Sequence, residues 1–302
     1  MKILIYGTGG IGGFIGTFLL KTNHEIFFLS RGKTLKKFEK NGIELISPIE
    51  NLRFEKINIL SSLKNNFDFD IIILAVKLYD FDKALLDIKS NFKKIPLILP
   101  FQNGIYAEEK LKENIGKENV CGAVAQISSY LDKKARIVHN GKLATFFVGD
   151  LVSKTNYTLL KLFSNDCQKV GLDLRYSEKI NEKLWDKFIF LTAYSGVTTL
   201  TGLTLGEIFK NKKLKIFFTD AMNETFLLSR KFDIFFSKNP VDLWLQRIKK
   251  LPFNMTSSMY LDFEKKKKIE LSWLSGFVVK SCKLNRIDCS THEKIVNGIN
   301  TI

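Results

Sequence analysis

Cysteine, long apolar runs and negative charge are all scarce in this chain of 302 residues. The longest purely apolar stretch, residues 71–76, is far too short to span a membrane. A strand pattern begins at the first residues, so we expect no signal peptide, no membrane partner and a cytoplasmic location. The cysteines lack metal or redox spacing, which is typical of reduced thiols. The four are Cys121, Cys167, Cys282 and Cys289.

The shortage of acidic residues leaves 47 Lys and Arg against 31 Asp and Glu, a formal net charge of +16. Such a balance could serve a nucleic-acid partner, which would bind tightly and with strong salt dependence. The lysines are spread along the whole chain, however, and the run at 265–268 lacks interleaved aromatic residues for base stacking. We therefore favour a solvated basic surface that attracts an anionic cofactor and substrate, and we expect no nucleic-acid partner.

The amino-terminal segment carries the strongest motif. A buried-looking strand over residues 2–6 leads into Gly-x-Gly-x-x-Gly, and a helical pattern and a second strand follow. The first glycine allows a tight turn, the second lets a pyrophosphate approach the backbone, and the third lets the helix pack closely. Backbone amides and the helix dipole would hold the phosphates. A glycine-rich turn without a ligand is the alternative. The predicted nucleotide-binding residues are Gly7, Thr8, Gly9, Gly10, Ile11 and Gly12.

The end of the second strand indicates which nucleotide is bound. An NAD site would place Asp or Glu there to accept hydrogen bonds from the ribose 2′-hydroxyl. This chain has Ser30-Arg31-Gly32-Lys33 instead. A guanidinium can pair with a 2′-phosphate through two parallel charged hydrogen bonds, so Arg31 favours NADPH over NADH. The alternative is that Arg31 is only a solvated charge at a strand end.

The chain divides into two halves of different character. In the first half, strands alternate with helices, which predicts an α/β fold with a Rossmann-type, doubly wound, mostly parallel sheet. Residues 135–148 are typical of an antiparallel extension that turns at Asn140-Gly141. The second half shows helical periodicity in nearly every segment and predicts an all-α domain. The predicted domains are 1–172, which binds NADPH, and 173–302, which is helical and binds substrate.

Several short motifs then follow in a characteristic order. After the glycine turn and Arg31 come Lys77 behind Leu74-Ala75-Val76, Asn103 in Gln102-Asn103-Gly104, Leu184-Trp185-Asp186-Lys187, Thr256-Ser257-Ser258-Met259, and Glu270. In this order they resemble the ketopantoate reductase (2-dehydropantoate 2-reductase) family over essentially the whole chain. That family uses NADPH to reduce 2-dehydropantoate to pantoate in pantothenate and coenzyme A biosynthesis. Its Rossmann domain and helical carboxy-terminal domain agree with the two halves described above.

The resemblance implies a role for each matched residue. Lys187 would donate a proton and stabilise the developing alkoxide, and Glu270 would orient that ammonium and keep it charged. Ser258 would bind the substrate carboxylate, Asn103 the nicotinamide ribose or the substrate, and Lys77 a cofactor phosphate or ribose. Each has a purely structural alternative: a surface lysine, an acid at a helix start, a helix cap, and turn residues for the last two.

The match fails on one helix face. Residues one and two turns beyond Lys187 are Leu191 and Ser195, where the family usually carries substrate-contacting asparagines. Ser195 stays a candidate substrate-binding residue, but a lost donor commonly costs about 1.5–3 kcal/mol. Two alternatives therefore remain. The protein is a family relative that reduces another, more apolar 2-oxo acid, or it is a non-catalytic sensor that binds NADPH. No metal site is expected. A homodimer is compatible with the sequence, which does not fix the oligomeric state.

Overall fold

The computed structural model describes residues 1–63 and 68–302, which form two compact units. The first unit combines Met1–Gln102 with Ala107–Ile180. The second unit combines Asn103–Tyr106 with Asn181–Ile302. The short loop Asn103–Tyr106 thus belongs to the second unit although the segments on either side of it belong to the first.

The first unit contains two sheets and the helices between their strands. The strands in the described ranges are β1 Lys2–Tyr6, β2 Glu25–Leu29, β3 Ile43–Ile46, β4 Leu52–Phe54, β5 Asn58–Leu60, β6 Ile71–Leu74, β7 Leu97–Pro100, β8 Cys121–Leu131, β9 Ile137–Asp150 and β10 Asp173–Tyr176. The α-helices that alternate with them are α1 Gly10–Leu19, α2 Gly32–Asn41, α3 Phe81–Asn91, α4 Tyr106–Ile115 and α5 Tyr157–Lys169.

One sheet is entirely parallel, with the strand order β5-β2-β1-β6-β7. Its central strands β1 and β6 are buried on both faces, which is why they read as continuous apolar runs rather than alternating ones. A parallel bridge between Ile98 and Val120 places the start of β8 next to β7. This order confirms the predicted doubly wound sheet, whose strand carboxyl ends share one edge.

The other sheet is mixed, and here the predicted turn at Asn140-Gly141 is wrong. β8 and β9 are antiparallel and continue past that dipeptide, where the pairing register shifts and leaves residues 141–143 without partners in β8. The hairpin turns instead at Asp132–Ala135, because the Asp132 carboxylate accepts bonds from the backbone nitrogens of Lys134 and Arg136, both at 2.8 Å. Ala135 takes a left-handed φ of 66° there.

The last strand of the first unit lies beyond the predicted boundary between residues 172 and 173. β10 pairs in parallel with β9, from Asp173 opposite Thr145 to Tyr176 opposite Val148. The first unit accordingly ends at Ile180. Only Leu174 of this short strand is fully buried, so its apolar pattern was too weak to predict a strand.

The second unit is built of helices, as predicted. They are α6 Ile180–Thr201, which starts at the end of the first unit, α7 Leu205–Lys210, α8 Lys212–Ser229, α9 Pro240–Ile248, α10 Ser258–Glu264, α11 Ser275–Leu284 and α12 Ser290–Thr301. Leu274 (φ −102°, ψ −98°) separates a 3-10 turn over Leu271–Trp273 from α11. The last helix, α12, buries only a few positions. Within the described ranges, no helix is both long and apolar enough to cross a bilayer.

Polar side chains tie α6, α8 and α12 together inside the second unit. The Thr192 and Thr225 hydroxyls lie 3.0 Å apart, and the Thr225 hydroxyl lies 3.0 Å from Nε2 of His292. The Glu224 carboxylate accepts bonds from the backbone nitrogens of Thr291 and His292 at 2.7 and 2.9 Å. These bonds satisfy two backbone amides at the start of α12. The N-cap residue of that helix makes no side-chain hydrogen bond to them. A hydrogen bond thus joins α6 to α8 in the core of this unit, and three more join α8 to α12.

Candidate active site

The glycine turn between β1 and α1 has the geometry that its sequence predicts. Gly7 has a φ of +104°, and a Cβ added there would lie 2.7 Å from the backbone nitrogen of Val76. A Cβ at Gly12 would lie 2.1 Å from the Gly7 carbonyl oxygen. A Cβ at Gly9, in contrast, would meet no protein atom within 4 Å. Gly7 and Gly12 are thus required by the fold itself, whereas the space beside Gly9 is open.

The start of α1 is suited to an anion. Gly9 is its N-cap and has no side chain to occupy the helix end, and its first turn carries no acidic residue. The positive end of the dipole is therefore not neutralised locally. Gly10 packs against β8, since a Cβ there would lie 2.2 Å from the Ser129 carbonyl oxygen. The neighbouring Thr8 is buried and Ile11 is half-buried. This cradle fits the pyrophosphate of a dinucleotide.

Arg31 is not an isolated strand-end charge. Its Nη2 lies 2.9 Å from Oδ2 of Asp87 on α3 and 3.2 Å from the Tyr6 hydroxyl. The Tyr6 hydroxyl in turn donates to the same Asp87 oxygen at 2.6 Å. The Arg31 side chain keeps 44% of its surface exposed. The guanidinium is still accessible to a nucleotide phosphate, but it belongs to a cluster of three residues, Arg31, Tyr6 and Asp87.

Lys77 lies next to the glycine turn, as its position after a strand predicts. β6 pairs with β1, and Ala75 and Val76 contact the Gly7 position directly. Lys77 follows with extended backbone angles and precedes a 3-10 turn over Leu78–Asp80. It therefore lies at the carboxyl edge of the parallel sheet, where cofactors bind in such folds.

In the second unit, the structure brings Lys187 and Asn103 together. Nζ of Lys187 donates to Oδ1 of Asn103 at 2.9 Å. The next residue, Gly104, has a φ of +88°, and a Cβ there would lie 3.3 Å from both Phe188 and Leu274. Glycine thus lets the Asn103 turn pack closely against α6. The ammonium and the amide are 84 residues apart in sequence, so only the tertiary fold makes them neighbours.

The motif around Lys187 explains how the ammonium is positioned. Trp185 is 4% exposed and packs its ring against Phe188 and Phe232, with centroids 5.6 and 5.0 Å away. Asp186 binds Nη1 of Arg247 at 2.9 Å. Burial raises the pKa of Asp186, and Arg247 opposes that rise. Two residues of the motif therefore anchor α6 while Lys187 reaches Asn103.

Glu270 is a buried acid, 6% exposed, at the start of the 3-10 turn Leu271–Trp273. Its backbone oxygen accepts bonds from the nitrogens of Trp273 and Leu274, both at 3.1 Å. Leu274 is one of the residues that contact the Gly104 position. The turn that begins at Glu270 therefore packs beside the loop that carries Asn103. The Glu270 side chain makes no cap hydrogen bond to that turn.

The candidate serines differ in what their hydroxyls can do. Ser257, not Ser258, caps α10 by accepting a hydrogen bond from the backbone nitrogen of Tyr260 at 3.1 Å. Ser258 is the exposed first residue of that helix. Ser195 is 1% exposed and donates its proton to the Leu191 carbonyl at 2.6 Å. While that bond persists, the Ser195 hydroxyl can only accept a hydrogen bond from a substrate, and its predicted role in substrate binding is limited to that.

Sequence reasoning missed Tyr6, Asp87 and Gly104. Tyr6 stands directly before the glycine turn, and an aromatic hydroxyl in a buried strand was a signal that it needs a polar partner. Asp87 gave no signal, since it resembles any acid on the polar face of a helix. All four cysteines are free and buried. Among the residues that the structure describes, none are grouped in a way that could hold a metal ion.

The chain is similar to known proteins over almost its whole length. The chain is 28% identical to the uncharacterized oxidoreductase YkpB of Bacillus subtilis, over 94% of this chain and 92% of that protein. It is 25% identical to a 2-dehydropantoate 2-reductase of Pyrococcus horikoshii, over 95% and 93%. The solved ternary structure of a D-mandelate dehydrogenase with NADH and anilino(oxo)acetate shares the fold, with a TM-score of 0.88, 18% identity and coverage of 100% and 97%.

Two family models together match most of the chain. The model described as ketopantoate reductase PanE/ApbA matches residues 3–152, which contain the glycine turn and Arg31. The model of the carboxy-terminal region of the same family matches residues 179–302, which contain Lys187 and Glu270. With most of its length matched in the expected order, the chain belongs to the ketopantoate reductase PanE/ApbA family of oxidoreductases.

Proposed function

We propose that this protein reduces 2-dehydropantoate to pantoate with NADPH. The observation that carries the proposal is the 2.9 Å contact between Nζ of Lys187 and Oδ1 of Asn103. It holds an ammonium on a rigid helix by an amide from a distant loop, which is an arrangement suited to proton transfer. The family match supports the reduction of a 2-oxo acid, and the Pyrococcus relative supports the particular substrate.

The first unit would bind the cofactor. The open space beside Gly9 and the start of α1 would receive the pyrophosphate, and Arg31 would meet the 2′-phosphate. Lys77, at the same edge of the sheet, would contribute a further cation. When bound, NADPH supplies a hydride to C2 of the substrate. The absence of an acid at the end of β2 supports NADPH rather than NADH as the better substrate.

Lys187 would complete the reduction. As the carbonyl bond opens, its electron pair moves onto the oxygen, and Nζ of Lys187 donates a proton there to give the 2-hydroxy acid. Asn103 accepts a hydrogen bond from Nζ and so fixes the direction of the ammonium. The buried Glu270 carboxylate would favour the charged form of Lys187. The Ser258 hydroxyl, exposed at the first residue of α10, would bind the substrate carboxylate.

Leu191 favours an alternative substrate. This half-buried leucine lies one helical turn beyond Lys187, and Ser195, a turn further, has its proton committed to the Leu191 carbonyl. This helix face therefore offers no side-chain donor to the hydroxyl that 2-dehydropantoate carries at C4. An apolar 2-oxo acid of similar size, such as 2-oxoisovalerate, would lose nothing there. The reaction and the roles of Lys187 and Asn103 would be the same.

A substrate panel tests the reaction. NADPH and NADH oxidation should be followed with 2-dehydropantoate, 2-oxoisovalerate and phenylglyoxylate as substrates. We expect NADPH consumption with the first, and higher kcat/KM for it than for the others. Preference for 2-oxoisovalerate would select the apolar alternative. Failure of all three to accelerate NADPH loss would contradict the proposal and favour a nucleotide-binding sensor.

Variants of Lys187 test the mechanism. Lys187→Ala should lower kcat by at least about a hundredfold, since general acid catalysis contributes roughly that much or more. Its dissociation constant for NADPH should not change. Lys213→Ala on the exposed start of α8 removes the same charge elsewhere in the second unit and should have wild-type turnover. Equal turnover of Lys187→Ala and Lys213→Ala would exclude Lys187 as the proton donor.

A further inference from the structure

The cluster of Arg31, Asp87 and Tyr6 has a consequence for cofactor choice. We propose that Asp87, assisted by Tyr6, restrains Arg31 and weakens the preference of this protein for nucleotides with a 2′-phosphate over those with a free 2′-hydroxyl. The inference rests on the proposed nucleotide-binding function of the first unit. It concerns the strength of the discrimination, which neither the glycine turn nor the residue at position 31 determines alone.

The argument begins with the shape of a guanidinium. It can pair with two phosphate oxygens along either of two edges, Nη1 with Nη2 or Nε with Nη2. Nη2 belongs to both edges. In this structure Nη2 donates to Oδ2 of Asp87 at 2.9 Å and to the Tyr6 hydroxyl at 3.2 Å. While those bonds persist, Nη2 is held toward Asp87, so a phosphate that pairs along either edge must compete with the Asp87 carboxylate for it.

The restraint is held in place from both sides. Tyr6 is 3% exposed at the end of β1, and its hydroxyl donates to Oδ2 of Asp87 at 2.6 Å. Burial, followed by Asp87, raises the pKa of Tyr6, so the hydroxyl stays protonated and remains a donor. The other oxygen of Asp87 accepts from Nδ2 of Asn91 at 3.0 Å. Asp87 is therefore fixed on α3 and cannot easily follow Arg31 toward a ligand.

The two kinds of nucleotide meet this cluster differently. A 2′-phosphate must compete with Asp87 for Nη2 to gain two parallel bonds, and it approaches a carboxylate of the same charge. A ribose hydroxyl needs only one hydrogen bond, which Nε or Nη1 can donate without disturbing the cluster. The restraint thus lowers affinity for the phosphorylated nucleotide and leaves the other almost unaffected.

Binding of two fragments tests this directly, without turnover. Isothermal titration calorimetry should compare adenosine 2′,5′-bisphosphate with 5′-AMP on the full-length wild type and on Asp87→Asn. We expect the variant to bind the bisphosphate about tenfold more tightly, which corresponds to ~1.4 kcal/mol. Its affinity for 5′-AMP should stay within about twofold, because that ligand does not need the Nη2 bonds. If Asp87 has only a structural role, the variant should change its affinity for both ligands by the same factor.

Two further variants complete the test. Asp70→Asn removes the same charge from the opposite, amino-terminal edge of the parallel sheet and should change neither affinity. Tyr6→Phe removes one of the two acceptors of Nη2 and should raise affinity for the bisphosphate by a few fold, which gives a second test if Asp87→Asn folds poorly. If Asp87→Asn folds and binds the bisphosphate no more tightly than wild type, the inference is overturned. If only Tyr6→Phe folds, the same result in that variant overturns it. Absence of binding by wild type to either fragment instead overturns nucleotide binding itself.

Discussion

Replacing Gly9 and Gly12 separately by alanine distinguishes a glycine that the ligand requires from one that the fold requires. Gly12→Ala places a Cβ 2.1 Å from the Gly7 carbonyl oxygen and 3.0 Å from Cβ of Ala75. Since the first of these atoms is backbone, α1 or the turn must move. Overpacking of this kind costs about 1–3 kcal/mol, and a backbone obstruction belongs at the upper end.

Gly9→Ala should behave in the opposite way. Its Cβ meets no protein atom within 4 Å, and the backbone angles of Gly9, φ −81° and ψ −158°, are allowed for alanine. The free energy of unfolding should therefore change by no more than about 0.5 kcal/mol. The same methyl group would occupy the space where the pyrophosphate approaches the backbone. The dissociation constant for NADPH should rise at least about tenfold, equivalent to ~1.4 kcal/mol.

The assay is thermal unfolding followed by circular dichroism, with and without NADPH, together with titration of NADPH fluorescence. At about 2–4 °C per kcal/mol for a unit of this size, Gly12→Ala should lower the Tm by roughly 4–12 °C. Without NADPH, Gly9→Ala should have the Tm of wild type. With NADPH, it should lack the rise in Tm that the cofactor gives to wild type. A Gly9→Ala protein that binds NADPH like wild type would refute the assignment of this turn as the phosphate cradle.

Three further predictions concern stability. Burial raises the pKa of Glu108 to about 8, so the fold keeps a proton that the unfolded chain releases above 4.5. Stability should fall by up to about 1.4 kcal/mol per pH unit between those values, and Glu108→Gln should flatten this slope in thermal melts. Burial lowers the pKa of His292 to about 4, so stability should fall as pH drops from 6.5 to 4, and His292→Gln should remove that loss. A slope that persists in either variant contradicts the corresponding assignment. Ser257→Ala removes the N-cap of α10 and its 2.8 Å contact with Thr198, and should cost ~1 kcal/mol in urea unfolding, whereas no change would show that the cap is replaced by water.

Local patterns predicted most of the elements but failed where strands are short or pairing is distant. Four strands of the parallel sheet, β1, β2, β6 and β7, were predictable because burial makes their sequences largely apolar, whereas β5 has no buried residue and was not predicted. β10 was not predicted either, since it buries only Leu174. The Asn140-Gly141 dipeptide has a strong turn propensity, yet Asp132 provides the side-chain bonds that close the hairpin earlier. In that case the tertiary pairing of β8 with β9 overrode the local preference of the dipeptide.

The sequence by itself determined the glycine turn, the absence of an acid after β2 and the position of Lys187 on a helix, because each depends on neighbours along the chain. Only the tertiary structure decided that Asn103 belongs to the unit of Lys187. It also decided that the Ser195 hydroxyl donates to a carbonyl of its own helix, and that Arg31 is hydrogen-bonded to Asp87 and Tyr6. These contacts, apart from that of Ser195, join residues from separate elements, so they depend on how strands and helices pack. A residue type shows which bonds it can make, and packing decides which partner receives them.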